Sequence, residues 1–300
     1  MARRFAFLAL LTTALVTLHL TIVRPWFMRW GATDRELARV WAGDELSAGA
    51  DSVSTRAVTI NASADAVWPW IAQVGQDRAG WYSYRLLENI VGCRMPRVHR
   101  ATIALQDRAV GDKVWMYPAD RLGGFGHADV ARVAPGRALV LATMPMGERA
   151  IANGSTLAFL LDPIDASHTR LIMRSRGPSP SAPGWLAFDR GLFQPAHFVM
   201  ERRMMLTIKA LAEGDDPEEL PDLVQAALWI AIGLSCFFAA VAVCFAGAWE
   251  RPLMALAAGA SVLAIATLTQ PPVLMTALLA AGVAALLGPV PRFGAHGHAA

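Results

Sequence analysis

The chain has 300 residues, of which 55% are hydrophobic and only 17% are charged, with a mean hydropathy of +0.38. This composition is too apolar for a purely soluble chain of this length, and the apolar residues are concentrated in a few runs. The net charge of +3 comes without long basic runs, which argues against a nucleic-acid partner. The three cysteines offer neither a disulfide framework nor a paired-cysteine metal motif: Cys93, Cys236 and Cys244.

The first apolar run covers residues 5–23, which include no Asp, Glu, Lys or Arg. A helix of this length spans about 28 Å, close to the thickness of a hydrocarbon core. The pattern predicts an uncleaved anchor over residues 1–24, because the small-residue cleavage signal of a secretory leader is missing. His19 within this run is expected to be a neutral imidazole bonded to the helix backbone or to a neighbouring threonine. The residues at the exit are typical of a membrane interface: Arg24, Trp26 and Trp30.

Residues 25–53 are predicted to form a linker with a short charged helix at 34–40, which Thr33 can cap through its hydroxyl. A soluble domain is predicted over residues 54–213. It opens with a strand at 56–60, followed by a helix that Ser63 caps and Gly75 ends. Pro69 lies past the first turn of that helix, so the helix either starts later or kinks there.

Short alternating segments with turns between them follow a second small helix at residues 85–90. This order predicts an antiparallel sheet rather than parallel βαβ units. Pro195 is well placed at the first turn of a long helix that runs to about Ala212. The predicted strands cover residues 114–117, 126–133, 138–143, 155–161 and 169–176.

The long helix carries an apolar arc of Met200, Met204, Met205, Ile208 and Leu211. His197 and Glu201 lie in the middle of this arc and, at a spacing of four residues, point the same way.

Two parts of the chain resemble the SRPBCC superfamily, the START-like and polyketide-cyclase-like ligand-binding domains, in a membrane-anchored bacterial branch. The first is RAVTINASADAVWPWIAQVGQDRAGWYSYRLLEN at 56–89, and the second is PAHFVMER at 195–202. The segment WGATD at 30–34 is similar to the membrane-anchored branch, and the whole resemblance covers residues 30–212. It implies an α+β helix-grip fold, an antiparallel sheet around a long C-terminal helix, here with about four transmembrane helices.

The resemblance also implies a pocket for an apolar ligand between sheet and helix. Its expected ligand-binding residues are Trp81, Tyr82, Tyr84, Trp115, His197, Glu201, Met204 and Ile208. For the aromatic residues, ordinary core packing is an equally open interpretation.

The polar pair on the long helix has three interpretations. His197 and Glu201 bond the polar end of a ligand, act with Tyr84 as candidate catalytic acid and base groups, or form a buried pair with a strand carbonyl, Arg174 or Arg176. Glu88 is expected to pair with an arginine such as Arg94 or Arg97. His99 and His127 are possible further metal ligands, but no local metal-binding motif accompanies them, so no metal is predicted, and no cofactor is predicted either.

After an acidic linker at residues 214–222, two uncharged runs predict three more spans. Gln270-Pro271-Pro272 divides the second run. Gly247, Gly259 and Ser261 offer small faces for helix packing. The predicted spans are 223–249, 253–269 and 272–290, followed by a tail at 291–300.

These observations predict a membrane-tethered domain that binds a lipid or another hydrophobic small molecule. A cyclase- or dehydratase-like enzyme and a non-catalytic structural membrane protein are the alternatives, and the oligomeric state stays open. Arg3, Arg4, Arg251 and Arg292 favour cytoplasmic ends and a domain outside the cytoplasm of a bacterial membrane, whereas Arg24 and Arg29 argue the other way.

Overall fold

A computed structural model describes residues 2–121, 126–143 and 154–287. The chain divides into two compact units. One combines Met1–Thr17 with Leu220–Ala300, and the other is Leu18–Glu219. The predicted tail at 291–300 and the last residues of the final predicted span lie outside the described residues.

The first unit is helical. Its N-terminal segment, up to Thr17, belongs to a continuous helix, Ala2–Met28, whose remaining residues are counted in the second unit. This helix consists of α1 (Ala2–Leu18), a π-helical turn (His19–Val23) and α2 (Arg24–Met28). The C-terminal helices are α8 (Leu220–Phe245), α9 (Glu250–Thr269) and α10 (Val273–Leu287). Ala2–Met28, α8 and α9 are long and apolar enough to cross a membrane. α10, with 15 residues, is shorter, so the fourth span stays a prediction. The predicted break between α9 and α10 is confirmed.

Close helix contacts in this unit depend on one of the predicted small residues. At Gly259 an added Cβ would lie 2.6 Å from the Cys236 sulfur and 3.3 Å from Val283, so the glycine lets α9 approach α8 and α10. Gly247 has open space around it, and Ser261 bonds the Ala257 carbonyl of its own helix. Of the predicted small faces, only Gly259 lies at a tight contact.

The second unit contains an antiparallel sheet of six strands in the order β1-β6-β5-β4-β3-β2. Two short helices, α4 (Ala64–Ala72) and α5 (Arg85–Ile90), separate β1 from β2. After β6 come α6 (Pro183–Phe188), a π-helical turn (Asp189–Phe193) and the long α7 (Gln194–Ala212). The strands are β1 (Ser52–Ile60), β2 (Lys113–Trp115), β3 (His127–Ala134), β4 (Ala138–Thr143), β5 (Ser155–Pro163) and β6 (Thr169–Gly177).

α7 packs on one face of this sheet and provides the centre of the core. Met205 and Ile208 are fully buried against a set of strand side chains that alternate along each strand. The predicted α+β fold, a sheet around a long C-terminal helix, is therefore confirmed, and with it the resemblance at the level of fold. The strand side chains include Ile60, Leu139, Leu141, Phe159, Leu171 and Met173.

The opposite face of the sheet is covered by the segment predicted as a linker. Trp41 packs there against Val140, Leu160 and Ile172, which are the alternate residues of β4, β5 and β6. The indole N–H of Trp41 donates to the Glu36 carbonyl over 2.8 Å. The short helix α3 (Asp34–Ala38) starts with a reciprocal capping box, in which Thr33 accepts from Glu36 N–H and Glu36 accepts from Thr33 N–H. The predicted Thr33 cap is confirmed.

Local signals are confirmed in part. Ser63 caps α4 by accepting from the Ala66 N–H at 3.3 Å, and Pro69 stays inside this helix, which ends at Ala72 rather than near Gly75. The long helix predicted from Pro195 to about Ala212 is confirmed, since α7 covers Gln194–Ala212 with Pro195 in its first turn. The helical path before it starts at Pro183, which was not predicted. The π-helical turn joins the two parts next to Pro195, which has no N–H to donate.

Candidate ligand-binding site

Two cavities lie between α7 and the sheet. The inner cavity, of about 270 Å³, is lined mainly by Trp81, Met95, Met116, Leu157, Met200 and Met204, with Ser83, Glu88, Val91, Cys93, Tyr117, His197 and Glu201. The outer cavity, of about 290 Å³, reaches from Ser54 and Arg56 to the π-helical turn at Phe193. Both are lined by Met116, Leu157 and His197, so the cavities adjoin at these side chains.

Glu201 points from α7 towards the sheet and is 2% exposed. Arg56 of β1, 3% exposed, donates to its carboxylate from Nη1 and to the Phe27 carbonyl from Nε over 2.9 Å. The Ser175 hydroxyl lies 3.4 Å from the same carboxylate. A buried ion pair of this kind needs such additional partners, because both ions lose their hydration.

Arg174 and Arg176, which were predicted as partners of the polar pair on α7, do not bind it; the ionic partner of Glu201 is Arg56. Side chains alternate between the two faces of a strand, so Met173 and Ser175 face α7, whereas Arg174 faces the opposite side. There Arg174 donates to Asp44 over 2.7 Å.

His197 lies one helical turn before Glu201, with Nδ1 3.2 Å from the carboxylate. Burial, together with the positive charge of Arg56, lowers the pKa of His197 to about 4. The imidazole still has 39% of its side-chain surface accessible, and this surface faces the cavities that it lines. A neutral ring with Nδ1–H directed to Glu201 keeps Nε2 as an acceptor. His197 is therefore a neutral polar group of the cavity wall.

The remaining predicted ligand-binding residues divide into two groups. Trp81 and Met204 line the inner cavity, and the Trp81 indole N–H donates to the Trp115 carbonyl over 3.0 Å. Tyr82, Tyr84, Trp115 and Ile208 are not among the residues lining either cavity. Tyr82 and Ile208 belong to the hydrophobic core. Tyr84 is buried and forms the N-cap of α5. The Trp115 ring lies 4.8 Å from the ring of His127.

Burial raises the pKa of the Tyr82 phenol, whose oxygen accepts from Gln73 Nε2 over 2.7 Å. His19 was also expected to bond locally, but its Nε2 lies 2.8 Å from the Arg190 carbonyl, which belongs to the π-helical turn before α7.

Glu88 is a wall residue that the sequence did not assign to the site. Its expected arginine partners are occupied elsewhere, since Arg94 pairs with Asp120 at 3.0 Å and Arg97 lies 4.0 Å from Glu219. Burial raises the pKa of Glu88 to about 7. The local sequence offered no signal for this position, since Tyr84, one turn earlier, is the N-cap of α5 and lines neither cavity.

A metal centre finds no support in the part of the chain that the structure describes, where no group of three His, Cys, Asp or Glu side chains comes together. His99 lies 2.5 Å from Asp216, and His127 lies 3.7 Å from Asp129.

Neither family models nor curated proteins match this sequence. Solved structures show distant likenesses. Protein MLL2253 from Mesorhizobium loti is 15% identical with a TM-score of 0.32, covering 55% of this chain and 100% of that one. The Aha1 dimer from Colwellia psychrerythraea is 12% identical with a TM-score of 0.35 and coverages of 55% and 99%. CalU16 from Micromonospora echinospora is 14% identical with a TM-score of 0.30 and coverages of 56% and 78%.

At these identities and scores the likenesses say nothing about function. The class of the protein follows from the chain itself: a helix-grip domain with cavities between its long helix and its sheet, in a chain that also has helices long and apolar enough to cross a membrane.

Proposed function

We propose that the helix-grip domain binds an apolar small molecule or lipid in the inner cavity. The observation that supports this proposal is the cavity of about 270 Å³ under α7, whose walls are made largely of Met, Leu and Trp side chains. Ligand sites are typically concave and mostly apolar, with a few polar groups that orient the ligand. Anchoring through the helices of the same chain that are long and apolar enough to cross a membrane supplies proximity to apolar molecules.

The alternative functions are less well supported. An acid and base pair requires Glu201 to be available, yet its carboxylate is held by the Arg56 guanidinium. Tyr84 is buried at the start of α5 and does not line the cavities. A purely structural domain would fill the space under α7 with side chains, and two cavities remain there.

Filling the inner cavity is expected to abolish binding. Met200 lines it and is 42% exposed, so Met200→Trp adds an indole where space exists. The full chain in lipid nanodiscs is to be tested for co-purifying apolar molecules by native mass spectrometry and for thermal stabilisation by decanol. At a hundredfold excess over Kd, binding stabilises by about 2.7 kcal/mol.

The matched control is Ala196→Trp, an exposed position one turn earlier in the same helix that lines neither cavity and is expected to keep binding. A wild-type chain that carries no apolar molecule and gains no stability from decanol would overturn the proposal.

We also propose that the domain lies outside the cytoplasm of a bacterial cell, as Arg3, Arg4 and Arg251 at the opposite helix ends favour. A cysteine at exposed Asp165 is then expected to react with a membrane-impermeant maleimide in intact cells. Labelling that occurs only after lysis would show that the domain lies in the cytoplasm and would contradict this proposal. The unsubstituted chain is the control for labelling of its own three cysteines.

A further inference from the structure

The charges around the inner cavity are not balanced. Glu201 is neutralised by Arg56, and His197 is uncharged at neutral pH because burial and Arg56 lower its pKa to about 4. The other ionisable wall groups are Glu88, Cys93 and Tyr117. Burial raises the pKa of the Cys93 thiol, and the Tyr117 hydroxyl donates to the Val91 carbonyl over 2.8 Å. Glu88 is left as the source of net charge among these groups.

The Glu88 carboxyl lines the cavity, and the described residues give it no ion pair or hydrogen bond. Arg121 is the cation on this side, and its charge acts on Cys93 rather than on Glu88. Loss of hydration alone raises the pKa of the Glu88 carboxyl to about 7. Glu88 is partly buried, so its carboxylate has lost part of its water without gaining a partner among the described residues, and a complementary group brought by a ligand would offset that cost.

The wall that carries Glu88 is held in place. Asn89 accepts from the Met95 N–H over 2.7 Å and donates to the Met95 carbonyl over 3.2 Å. The Cys93 N–H donates to the Glu88 carbonyl over 2.9 Å, and Gly92 makes the intervening turn with a φ of +98°. Glu88 is thus presented by a fixed helix end, which reduces the ordering that a ligand must cause.

Resting on the proposed function, we propose that the inner cavity selects apolar molecules that carry a primary amine, whose ammonium group pairs with the Glu88 carboxylate. The methionines and Leu157 would surround the hydrocarbon part. An anionic ligand would meet the like charge of Glu88, and a neutral alcohol would gain only an uncharged hydrogen bond.

The test uses the full chain in phosphatidylcholine nanodiscs and three probes that share one hydrocarbon chain: decylamine, decanol and decanoate. Wild type is expected to bind decylamine roughly tenfold or more tightly than decanol, and decanoate most weakly. In Glu88→Gln the preference for the amine over the alcohol is expected to disappear. Asp162→Asn removes a carboxylate of an exposed ion pair with Arg39, whose residues line neither cavity, and is expected to keep the wild-type preference.

A pH series adds a second readout. Decylamine stays protonated like a lysine, whereas Glu88 ionises as the pH rises from about 6 to about 8, so amine affinity is expected to increase over this range. His197 and Cys93, with pKa values shifted down and up respectively, keep their charge states in this window.

The outcomes separate the two proposals. If none of the three probes binds, the proposed function itself fails. If decanol binds but decylamine binds no more tightly, the cavity binds apolar molecules without selecting amines. If Glu88→Gln keeps the preference for the amine, Glu88 does not bind the ammonium group. Either result overturns the proposed role of Glu88.

Discussion

Glu201→Gln is expected to destabilise the helix-grip domain by about 3–5 kcal/mol, because it leaves the Arg56 guanidinium buried without a counter-charge. Both side chains are 3% exposed, so water cannot replace the lost carboxylate. The Phe27 carbonyl still accepts from Arg56 Nε, but it carries no net charge. The measurement is the denaturant midpoint of the domain in the full chain, held in nanodiscs and followed by tryptophan fluorescence.

Two controls accompany this variant. Arg56→Met with Glu201→Met replaces the pair by apolar side chains and is expected to recover most of the loss, since buried pairs exchange for packed hydrophobic groups at little net cost. Asp162→Asn breaks an exposed pair with Arg39, where the side chains are 50% and 40% accessible, and is expected to cost about 0–1 kcal/mol. An unchanged midpoint for Glu201→Gln would show that Arg56 does not depend on this carboxylate.

Phe198→Ala is expected to lower the free energy of unfolding by about 3–5 kcal/mol, because it leaves a cavity at a fully buried site. The Phe198 ring stacks on Phe27 at 5.4 Å and meets the edges of Trp26 at 5.6 Å and Trp30 at 6.1 Å. The Arg56 guanidinium lies 5.1 Å from its centre. These contacts fix the start of α7, which carries His197 and Glu201, against the segment before β1.

The comparison variant is Phe188→Ala in α6, where the ring is 47% exposed and meets Trp185 at 5.8 Å. It is expected to change the free energy of unfolding by less than about 1 kcal/mol. Equal losses of unfolding free energy for the two variants would show that Phe198 does not stabilise the packing of α7 against the segment before β1.

Local chemistry explains which elements could be predicted from the sequence. Ser63 and Thr33 cap helices through bonds that span three residues, so their roles depend on neighbours in the chain. β4 could be predicted for a similar reason, since a continuous apolar run, Ala138–Ala142, suits a strand whose successive side chains are buried on both faces. The start of α7 could be predicted from Pro195, which lies in its first turn, whereas the π-helical turn that joins it to α6 could not.

The partners of the polar residues could not be predicted in this way. The ionic partner of Glu201 depends on the pairing of β1 with β6, which puts Arg56 opposite Met173 and turns Arg174 to the other face. The isolation of Glu88 depends on Arg94 and Arg97 being drawn to Asp120 and Glu219. Nothing in the local sequence distinguishes these arginines from one another.

The sequence by itself determined the apolar helices, the antiparallel strands and the polar pair on the long helix, because periodicity and uncharged run length act over a few turns of chain. Only the tertiary structure decided that His197 faces a cavity, that Glu201 is neutralised and that Glu88 is unpaired among the described residues. Burial and charge pairing arise between segments far apart in the chain, so their energies depend on strand register and packing rather than on residue spacing.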